Sequence, residues 1–359
     1  MPESWATSSS LEDLATFLRP KRRVVVTTHL KPDGDAVGSS MALVRALNAP
    51  GAWSQPNRAE AWYFGPTPPW LSEVVGETPH RVLGADGPPV VEGLDAVVVV
   101  DTGSWMQLEP VRGWLESHHD KAAVIDHHVQ GDAGVAPRRH IDTSAAAACQ
   151  PVAELCRLLL GASGLSGLPS NVAEASYLGL ATDTGWFRHS NVSKAVMATA
   201  GELIEAGANP VHLYQVLEQN ETPSRLHLLA RALASLEVFD HGRIAVMRLT
   251  REDFRAAQAS PGESGGFVDY GQAIRGVQVT ALLTEASPGE YGGGPGPITK
   301  ISLRSKVGVD VNAVAKAFGG GGHVQAAGAR VGLAMDEAAR AVVARVTAQL
   351  RDAERGHGA

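Results

Sequence analysis

Acidic and imidazole side chains follow several apolar runs in this 359-residue sequence. His29 follows the run VVVTT, Asp101 ends the run AVVVV, and the run AAVI leads into Asp126 and two histidines. Unbroken β-branched runs are typical of parallel strands that are buried on both faces, and sheets of this kind bind ligands outside the carboxyl ends of their strands. We therefore expect these side chains to meet at one edge of a sheet.

Three further acids extend this group. The tight turn at 31–35 carries Asp33 and Asp35 directly after the first run, and Asp183 follows an apolar helical pattern over 173–181. Carboxylates gathered this closely repel one another, and a pair of divalent cations removes the conflict. The predicted metal ligands are His29, Asp33, Asp35, Asp101, His127 and Asp183. A set of imidazoles and carboxylates without thiolates suits Mn²⁺, with Mg²⁺ or Co²⁺ as substitutes.

A pair of such cations about 3.5–4 Å apart shares one ligand and acidifies the water between them. The resulting bridging hydroxide would attack phosphorus, while the cations neutralise charge on the phosphoryl oxygens. Each sequence element has an ordinary structural explanation when taken alone, because a strand-end Asp often caps a helix and Pro-Asp-Gly is a strong turn signal. The occurrence of four such elements in strand–helix order favours metal binding.

Strands that alternate with helices must position these residues. A short helix is predicted over 11–18, strands over 23–29, 96–101 and 122–126, and a longer helix over 36–47. This alternation indicates an α/β fold, a doubly wound and mostly parallel sheet, over residues 1–215.

The second half of the chain shows a different pattern and predicts a smaller α/β domain over residues 216–359. Helices are expected over 192–206, 211–220, 223–236 and 336–351, and strands over 236–240, 243–249, 277–284 and 298–304. The segment 285–297 holds five glycines and three prolines, which predicts a mobile hairpin loop.

Composition excludes several classes of protein. A net charge of −7 argues against a protein that coats long nucleic acid with a basic surface. No apolar run approaches the roughly 20 residues of a membrane helix, and the first residues lack a signal-peptide pattern, so we expect no membrane partner and a cytoplasmic location. Cys149 and Cys156 are seven residues apart in an Ala/Leu-rich stretch, and we expect both to be buried and unbonded.

In order along the chain, the strings THLKPDGDAVGSS, VVVVDTGSW, VIDHHV and LATDTGWF resemble the four motifs of the DHH phosphoesterases. The later string FGGGGHVQAAGA resembles the glycine-rich signature of the associated DHHA1 domain. The similarity extends from about residue 11 to 350 and is to the subfamily of nanoRNases, 3′-phosphoadenosine-5′-phosphate (pAp) phosphatases and cyclic-dinucleotide phosphodiesterases. Val129 stands where many relatives have proline, a position that supplies no ligand.

The resemblance divides the predicted ligands between two cations that share Asp101. It assigns the first cation to His29, Asp33 and Asp101, and the second to Asp35, Asp101, His127 and Asp183. It also implies two catalytic residues: Asp126 would orient an imidazole, and His128 would contact the scissile phosphate or protonate the leaving oxygen, with a purely structural hydrogen bond as the alternative for His128.

The resemblance places substrate-binding residues in the second domain. Ser302, Arg304 and Lys306 share one face of an alternating strand, and glycine amides can approach a phosphate closely. In the family, the matching arginine and its neighbours bind the terminal phosphate of the substrate, in a cleft between the domains. The predicted substrate-binding residues are Arg304, Ser305, Lys306, Gly320, Gly321, Gly322 and His323.

The predicted partners are short RNA or nucleotides and a second copy of the chain in a homodimer, with no stable long nucleic acid. The expected substrates are short oligoribonucleotides (nanoRNA), pAp, pApA and cyclic di-AMP, which the sequence does not rank. Two alternatives are a manganese-dependent inorganic pyrophosphatase, whose lysine-rich second-domain signature is absent here, and a non-catalytic nucleotide sensor, which would have lost a ligand.

Overall fold

The computed structural model describes residues 4–49, 58–286, 296–306 and 309–356. The chain divides into two compact units, Met1–Asn220 and Glu221–Ala359. The predicted boundary near 215 falls in a helix that ends just before this division, Pro210–Glu218. Most of the hairpin loop predicted over 285–297 lies outside the described residues.

The first unit contains a six-stranded sheet in which every pairing is parallel. The strands are β1 (Val24–Thr27), β2 (Ala59–Phe64), β3 (His80–Leu83), β4 (Ala96–Val100), β5 (Ala122–Asp126) and β6 (Arg138–Ile141). Their order in the sheet is β3-β2-β1-β4-β5-β6, so the direction of winding reverses between β1 and β4. The predicted doubly wound α/β fold is confirmed.

Both faces of this sheet are covered. Alternate residues of its strands belong to two different apolar cores, one on each face. Val24 and Val26 pack on one side with the longer helices, whereas Val25 packs on the other side. The helices of this unit are α1 (Leu11–Leu18), α2 (Gly34–Leu47), α3 (Leu71–Val75), α4 (Arg112–Ser117), α5 (Cys149–Leu160), α6 (Ser170–Asp183), α7 (Lys194–Glu205) and α8 (Pro210–Glu218). Cys149 and Cys156 lie on α5, both buried and free, as predicted.

The second unit holds a mixed six-stranded sheet. Its strands are β7 (Glu237–Phe239), β8 (Ile244–Leu249), β9 (Val279–Ala286), β10 (Ile298–Ser305), β11 (Gly321–Gly322) and β12 (Ala326–Val331), in the order β11-β12-β10-β9-β8-β7. Its helices are α9 (Pro223–Ala234), α10 (Arg251–Ala257), α11 (Phe267–Tyr270), α12 (Val311–Lys316) and α13 (Met335–Gly356). Among the strands that the structure describes in this unit, only β8 and β9 pair in parallel.

None of the helices in the described part of the chain is both long enough and apolar enough to cross a lipid bilayer.

Candidate metal centre

The ends of three neighbouring strands bring the predicted ligands together. His29 lies two residues after β1, Asp101 follows β4 directly, and His127 follows β5 directly. The Thr28 hydroxyl donates a hydrogen bond of 2.8 Å to the Val100 carbonyl oxygen, which holds the ends of β1 and β4 side by side. The site therefore forms where the winding reverses, the position at which open α/β sheets bind ligands.

Asp101 lies between two imidazoles. Its Oδ2 is 3.5 Å from Nε2 of His29, and its Oδ1 is 3.5 Å from Nε2 of His127. The side chain is buried, and its backbone has a left-handed φ of 62°, an uncommon conformation that Asp tolerates better than most residues. One carboxylate thus offers each of its oxygens to a different histidine, the arrangement that a shared ligand of two cations requires.

The candidate ligands form two groups of three side chains, and Asp101 belongs to the first. His29, Asp33 and Asp101 form one group, and Asp35, His127 and Asp183 form the other, with the ligand atoms of each group within 4.8 Å of one another. A third such group overlaps them and consists of Asp101, His127 and His128. The structure thus brings the six predicted ligands into two neighbouring groups. The second group lacks Asp101, which the resemblance assigned to both cations, but Oδ1 of Asp101 lies 3.5 Å from Nε2 of His127 in that group.

The backbone fixes which nitrogen of each imidazole is available. Nδ1 of His29 lies 3.1 Å from the Leu30 carbonyl oxygen, and Nδ1 of His127 lies 3.3 Å from that of Ala145. Because a carbonyl oxygen can only accept, each Nδ1 carries the proton and donates it. Nε2 of each ring therefore faces the carboxylates, and once it has lost its proton it offers a lone pair to a cation, as metal-binding histidines require.

Asp35 is buried by close helix packing. A Cβ added at Gly38 on α2 would lie 2.6 Å from the backbone nitrogen of Gly179 on α6, and one added at Gly179 would lie 2.5 Å from Oδ1 of Asp35. The missing side chains let the start of α2 and the end of α6 approach each other. Asp35 and Asp183 are thereby held near His127.

Sequence reasoning missed the groups that orient Asp35. The Ser39 hydroxyl donates to its Oδ1 at 3.0 Å, and the backbone amides of Ala148 and Cys149 donate to its two oxygens at 2.5 and 3.0 Å. The serine could have been found, because residues four apart face each other on a helix. The amides could not, since they lie more than a hundred residues away in sequence.

The electrostatics fit a cation site. Burial alone would lower the pKa of His29, but hydrogen bonding to Asp101 and Asp33 raises it to about 10. Burial likewise opposes the charge on His127, yet Asp101 and the neighbouring acids raise its pKa to about 9. Burial raises the pKa of Asp183 to about 6 and holds that of Asp35 well above its usual range. Protons thus balance the crowded carboxylates of the protein alone, and divalent cations would take over this role with the same donor set.

Asp126 orients His128. Its Oδ1 lies 2.7 Å from Nδ1 of His128 and also accepts the backbone amide of His127 at 2.8 Å. The Asp126 side chain is fully buried, whereas that of His128 is 52% exposed. The hydrogen bond to Asp126 is the main cause that raises the pKa of His128. Nδ1 therefore carries a proton, and Nε2 is left for an external group.

The predicted substrate-binding residues on β10 have different environments. Arg304 is partly exposed, and its Nε lies 3.1 Å from Oδ1 of Asp269. Ser305 faces the opposite, buried side of the strand and donates to the Val309 carbonyl oxygen at 2.6 Å. Lys306 is exposed, and its Nζ lies 3.4 Å from the Ile274 carbonyl oxygen.

The predicted glycine loop forms a tight hairpin. Gly321 and Gly322 make β11, which pairs with β12, and the exposed His323 begins the turn between them. A Cβ at Gly320 would lie 2.1 Å from the Gly328 carbonyl oxygen, and one at Gly322, where φ is 148°, would lie 2.4 Å from that of Ala326. These two glycines thus let β11 approach the backbone of β12.

Comparisons with known proteins agree with this architecture. The model of the DHH family, N-terminal domain, matches residues 23–180, and that of the DHHA1 domain matches residues 241–352. The chain is 31% identical to the bifunctional oligoribonuclease and PAP phosphatase NrnA of Thermus thermophilus, over 91% of this chain and 90% of the relative. It is 25% identical to the cyclic-di-AMP phosphodiesterase PdeA of Listeria monocytogenes, over 88% of this chain and 45% of that protein.

A solved structure shares the fold. The crystal structure of an exopolyphosphatase-related protein from Bacteroides fragilis superposes with a TM-score of 0.80 at 24% identity, covering 95% of this chain and 97% of that chain. The sequence identity to the Thermus relative and the two family models establish more than the fold. The chain belongs to the DHH family, in the form that carries a DHHA1 domain, and is a hydrolase of phosphoesters whose chemistry depends on divalent metal.

Proposed function

We propose that this protein hydrolyses short oligoribonucleotides, pAp and linear or cyclic dinucleotides. The reaction would use two divalent cations, with Mn²⁺ as the preferred ion. The observation that carries the proposal is the position of Asp101, which offers one oxygen to each of two ligand groups at 3.5 Å from each imidazole Nε2. Relatives named for oligoribonuclease, PAP phosphatase and cyclic-di-AMP phosphodiesterase activities support this choice of substrates.

The residues of the first unit have separate tasks in this proposal. His29 and Asp33 would hold one cation and Asp35, His127 and Asp183 would hold the other, with Asp101 shared. When bound, the two cations would supply charge neutralisation at the phosphoryl group and a water of lowered pKa. Hydrogen bonds to the protein backbone fix His29, Asp35 and His127, which supports their assignment as ligands.

His128 is the proposed general acid. Nδ1 of the ring donates a hydrogen bond to Asp126, which raises the pKa of His128 above its ordinary value and so favours the acid form. Its exposed ring can therefore donate a proton from Nε2 to the leaving oxygen, which a nucleoside or nucleotide leaving group requires.

Arg304 is the proposed contact for a terminal phosphate of the substrate. A guanidinium can match a phosphate through two parallel hydrogen bonds. In Arg304, Nε lies 3.1 Å from Oδ1 of Asp269 and Nη1 donates to the Leu303 carbonyl oxygen at 3.1 Å, so a phosphate would replace part of these contacts. Lys306, the hairpin glycines 320–322 and His323 support this role in the proposal. Ser305 faces the buried side of β10 and donates to the Val309 carbonyl oxygen, so it would fix the end of the strand rather than contact the phosphate. Cytoplasmic location and a homodimer remain predictions.

The test is a comparison of Asp101→Asn with Asp95→Asn. The two acids flank β4, and Asp95, at its opposite end, accepts hydrogen bonds from the backbone amides of Arg22 and Arg23. We expect Asp101→Asn to lower Mn²⁺-dependent kcat/KM on pAp, pApA and 5-mer RNA by at least about 100-fold, because the shared charge is lost. Asp95→Asn should keep the activity of the parent.

Three results would refute the proposal. Full activity of Asp101→Asn would show that hydrolysis does not use this carboxylate. Release of phosphate from pyrophosphate alone, with every nucleotide left intact, would assign the protein to the inorganic pyrophosphatases instead. Binding of nucleotides without turnover of any of them would indicate a sensor.

A further inference from the structure

Residues 5–9 run alongside the edge strand β6. The Thr7 hydroxyl donates to the Ile141 carbonyl oxygen and accepts from the Ile141 amide, both at 2.9 Å. The Ser8 hydroxyl accepts from the Arg139 amide at 2.9 Å, and the amides of Ser8 and Ser9 both donate to the Arg139 carbonyl oxygen. Side-chain and backbone hydrogen bonds therefore fix this segment along the strand.

The segment presents the Trp5 indole to two glycines. A Cβ added at Gly103 would lie 1.8 Å from Cη2 of Trp5, and one added at Gly131 would lie 2.5 Å from Cε2. Neither position could carry even a methyl group while the indole stays in place. The indole ring thus lies directly against the backbone of both residues.

These glycines belong to the two loops that carry metal-site residues. Gly103 is two residues after Asp101, and Gly131 is three residues after His128. The indole Nε1 donates a hydrogen bond of 3.0 Å to the backbone carbonyl oxygen of His128. The same loops are joined by the Asp132 amide, which donates to the Gly103 carbonyl oxygen at 2.7 Å.

We propose that Trp5 is a positioning residue that fixes Asp101 and His128 relative to each other by clamping their loops. This inference rests on the proposed function, because it assigns Trp5 a role in the same metal centre. An indole that touches both loops and hydrogen-bonds one of them limits the two motions that would separate the shared carboxylate from the general acid. Removal of such a supporting group from a metal site typically lowers metal affinity or activity about 10- to 100-fold.

The competing explanation is that Trp5 only adds apolar packing. Its ring does lie against the core on one face of the first sheet. A packing role would lower the free energy of unfolding and leave the metal centre of the folded protein unchanged. Metal affinity, measured on folded protein, therefore separates the two explanations.

The experiment measures Mn²⁺ affinity by calorimetry, together with kcat and KM on pAp, for Trp5→Ala, Trp5→Phe and Trp70→Ala. Trp70 is a partly buried tryptophan of the same unit that packs against the apolar core on the other face of the sheet. For Trp5→Ala we expect Mn²⁺ affinity and kcat to fall about 10-fold, with KM within about twofold of the parent. Trp5→Phe keeps a ring without the N–H donor and should recover part of both losses. Trp70→Ala should match the parent in both quantities.

A double variant gives an independent test. Gly103→Ala alone should weaken Mn²⁺ binding, because its methyl group overlaps the indole. In the Gly103→Ala/Trp5→Ala double variant the methyl group has room. The Gly103→Ala change should therefore lower Mn²⁺ affinity less in the Trp5→Ala background than in the parent. Equal effects of Gly103→Ala in both backgrounds would overturn the inference, as would Mn²⁺ affinity of Trp5→Ala within about twofold of the parent. Because Mn²⁺ affinity needs no substrate, absence of activity in all proteins would count against the proposed function alone.

Discussion

At the scale of single residues, the chemistry depends on where protons are held. The carbonyl oxygens of Leu30 and Ala145 accept hydrogen bonds from Nδ1 of His29 and His127, so Nε2 of each ring is the atom that can bind a cation after it loses its proton. Asp126 instead accepts a hydrogen bond from Nδ1 of His128 through its carboxylate, which raises the pKa of that ring. Two adjacent histidines thus receive different tasks from different acceptors.

This difference predicts the effect of His128→Gln. The acid form of His128 is the active form, so the kcat of the parent should fall as the pH rises through the raised pKa of this group. In His128→Gln, kcat should fall about 100-fold, the usual size of a general-acid contribution, and the alkaline decline should disappear. A substrate with a 4-nitrophenolate leaving group needs no proton and should show a much smaller defect.

His119→Gln is the control for this experiment, since His119 belongs to the other His-His pair of the chain and is exposed. An alkaline decline that persists in His128→Gln would contradict the acid role. An equal defect for both leaving groups would indicate that His128 only binds the phosphate.

At the scale of elements, the sequence predicted those strands and helices whose apolar pattern is continuous. The structure has β4 and β5 within the predicted ranges, and α1 matches its predicted bounds. The edge strands β3 and β6 were missed because their sequences, HRVL and RRHI, are short and polar. The contact of Trp5 with His128 could not be predicted, since 123 residues separate the two partners.

The crossing of α2 and α6 leads to a prediction about Gly179. In Gly179→Ala the new methyl group would lie 2.5 Å from Oδ1 of Asp35 and 2.8 Å from Cβ of Cys149. We expect the free energy of unfolding to fall by about 1–3 kcal/mol, as for other overpacked cores, and Mn²⁺ affinity to fall with it because Asp35 must move.

Gly201→Ala on α7 is the matched control, because an added Cβ there meets no atom within 4 Å. This change should stabilise the protein by about 0.4–1 kcal/mol and leave Mn²⁺ affinity unchanged. Chemical denaturation and calorimetry measure the two quantities. Unchanged Mn²⁺ affinity in Gly179→Ala would show that the helix crossing does not position Asp35.

At the scale of the whole molecule, the proposed tasks are divided between the two units. The six predicted metal ligands lie in Met1–Asn220, whereas Arg304 and the glycine hairpin lie in Glu221–Ala359. The chain carries 31 basic and 38 acidic residues, so long nucleic acid would gain little from its overall charge. Recognition of a short substrate by its terminal phosphate is compatible with this charge balance, since it requires only one positively charged side chain at the binding site.

Arg304→Ala tests this division of tasks. We expect KM for pApA to rise about 10- to 100-fold, the value of a charge-assisted hydrogen bond to phosphate, while Mn²⁺ affinity stays unchanged. KM for ApA, which lacks the terminal phosphate, should not change. Arg231→Ala is the control, because Arg231 also pairs with an aspartate of the second unit, Asp253, at 3.2 Å. Equal increases in KM for pApA and ApA would mean that Arg304 does not read the terminal phosphate, and the second unit would then need another role.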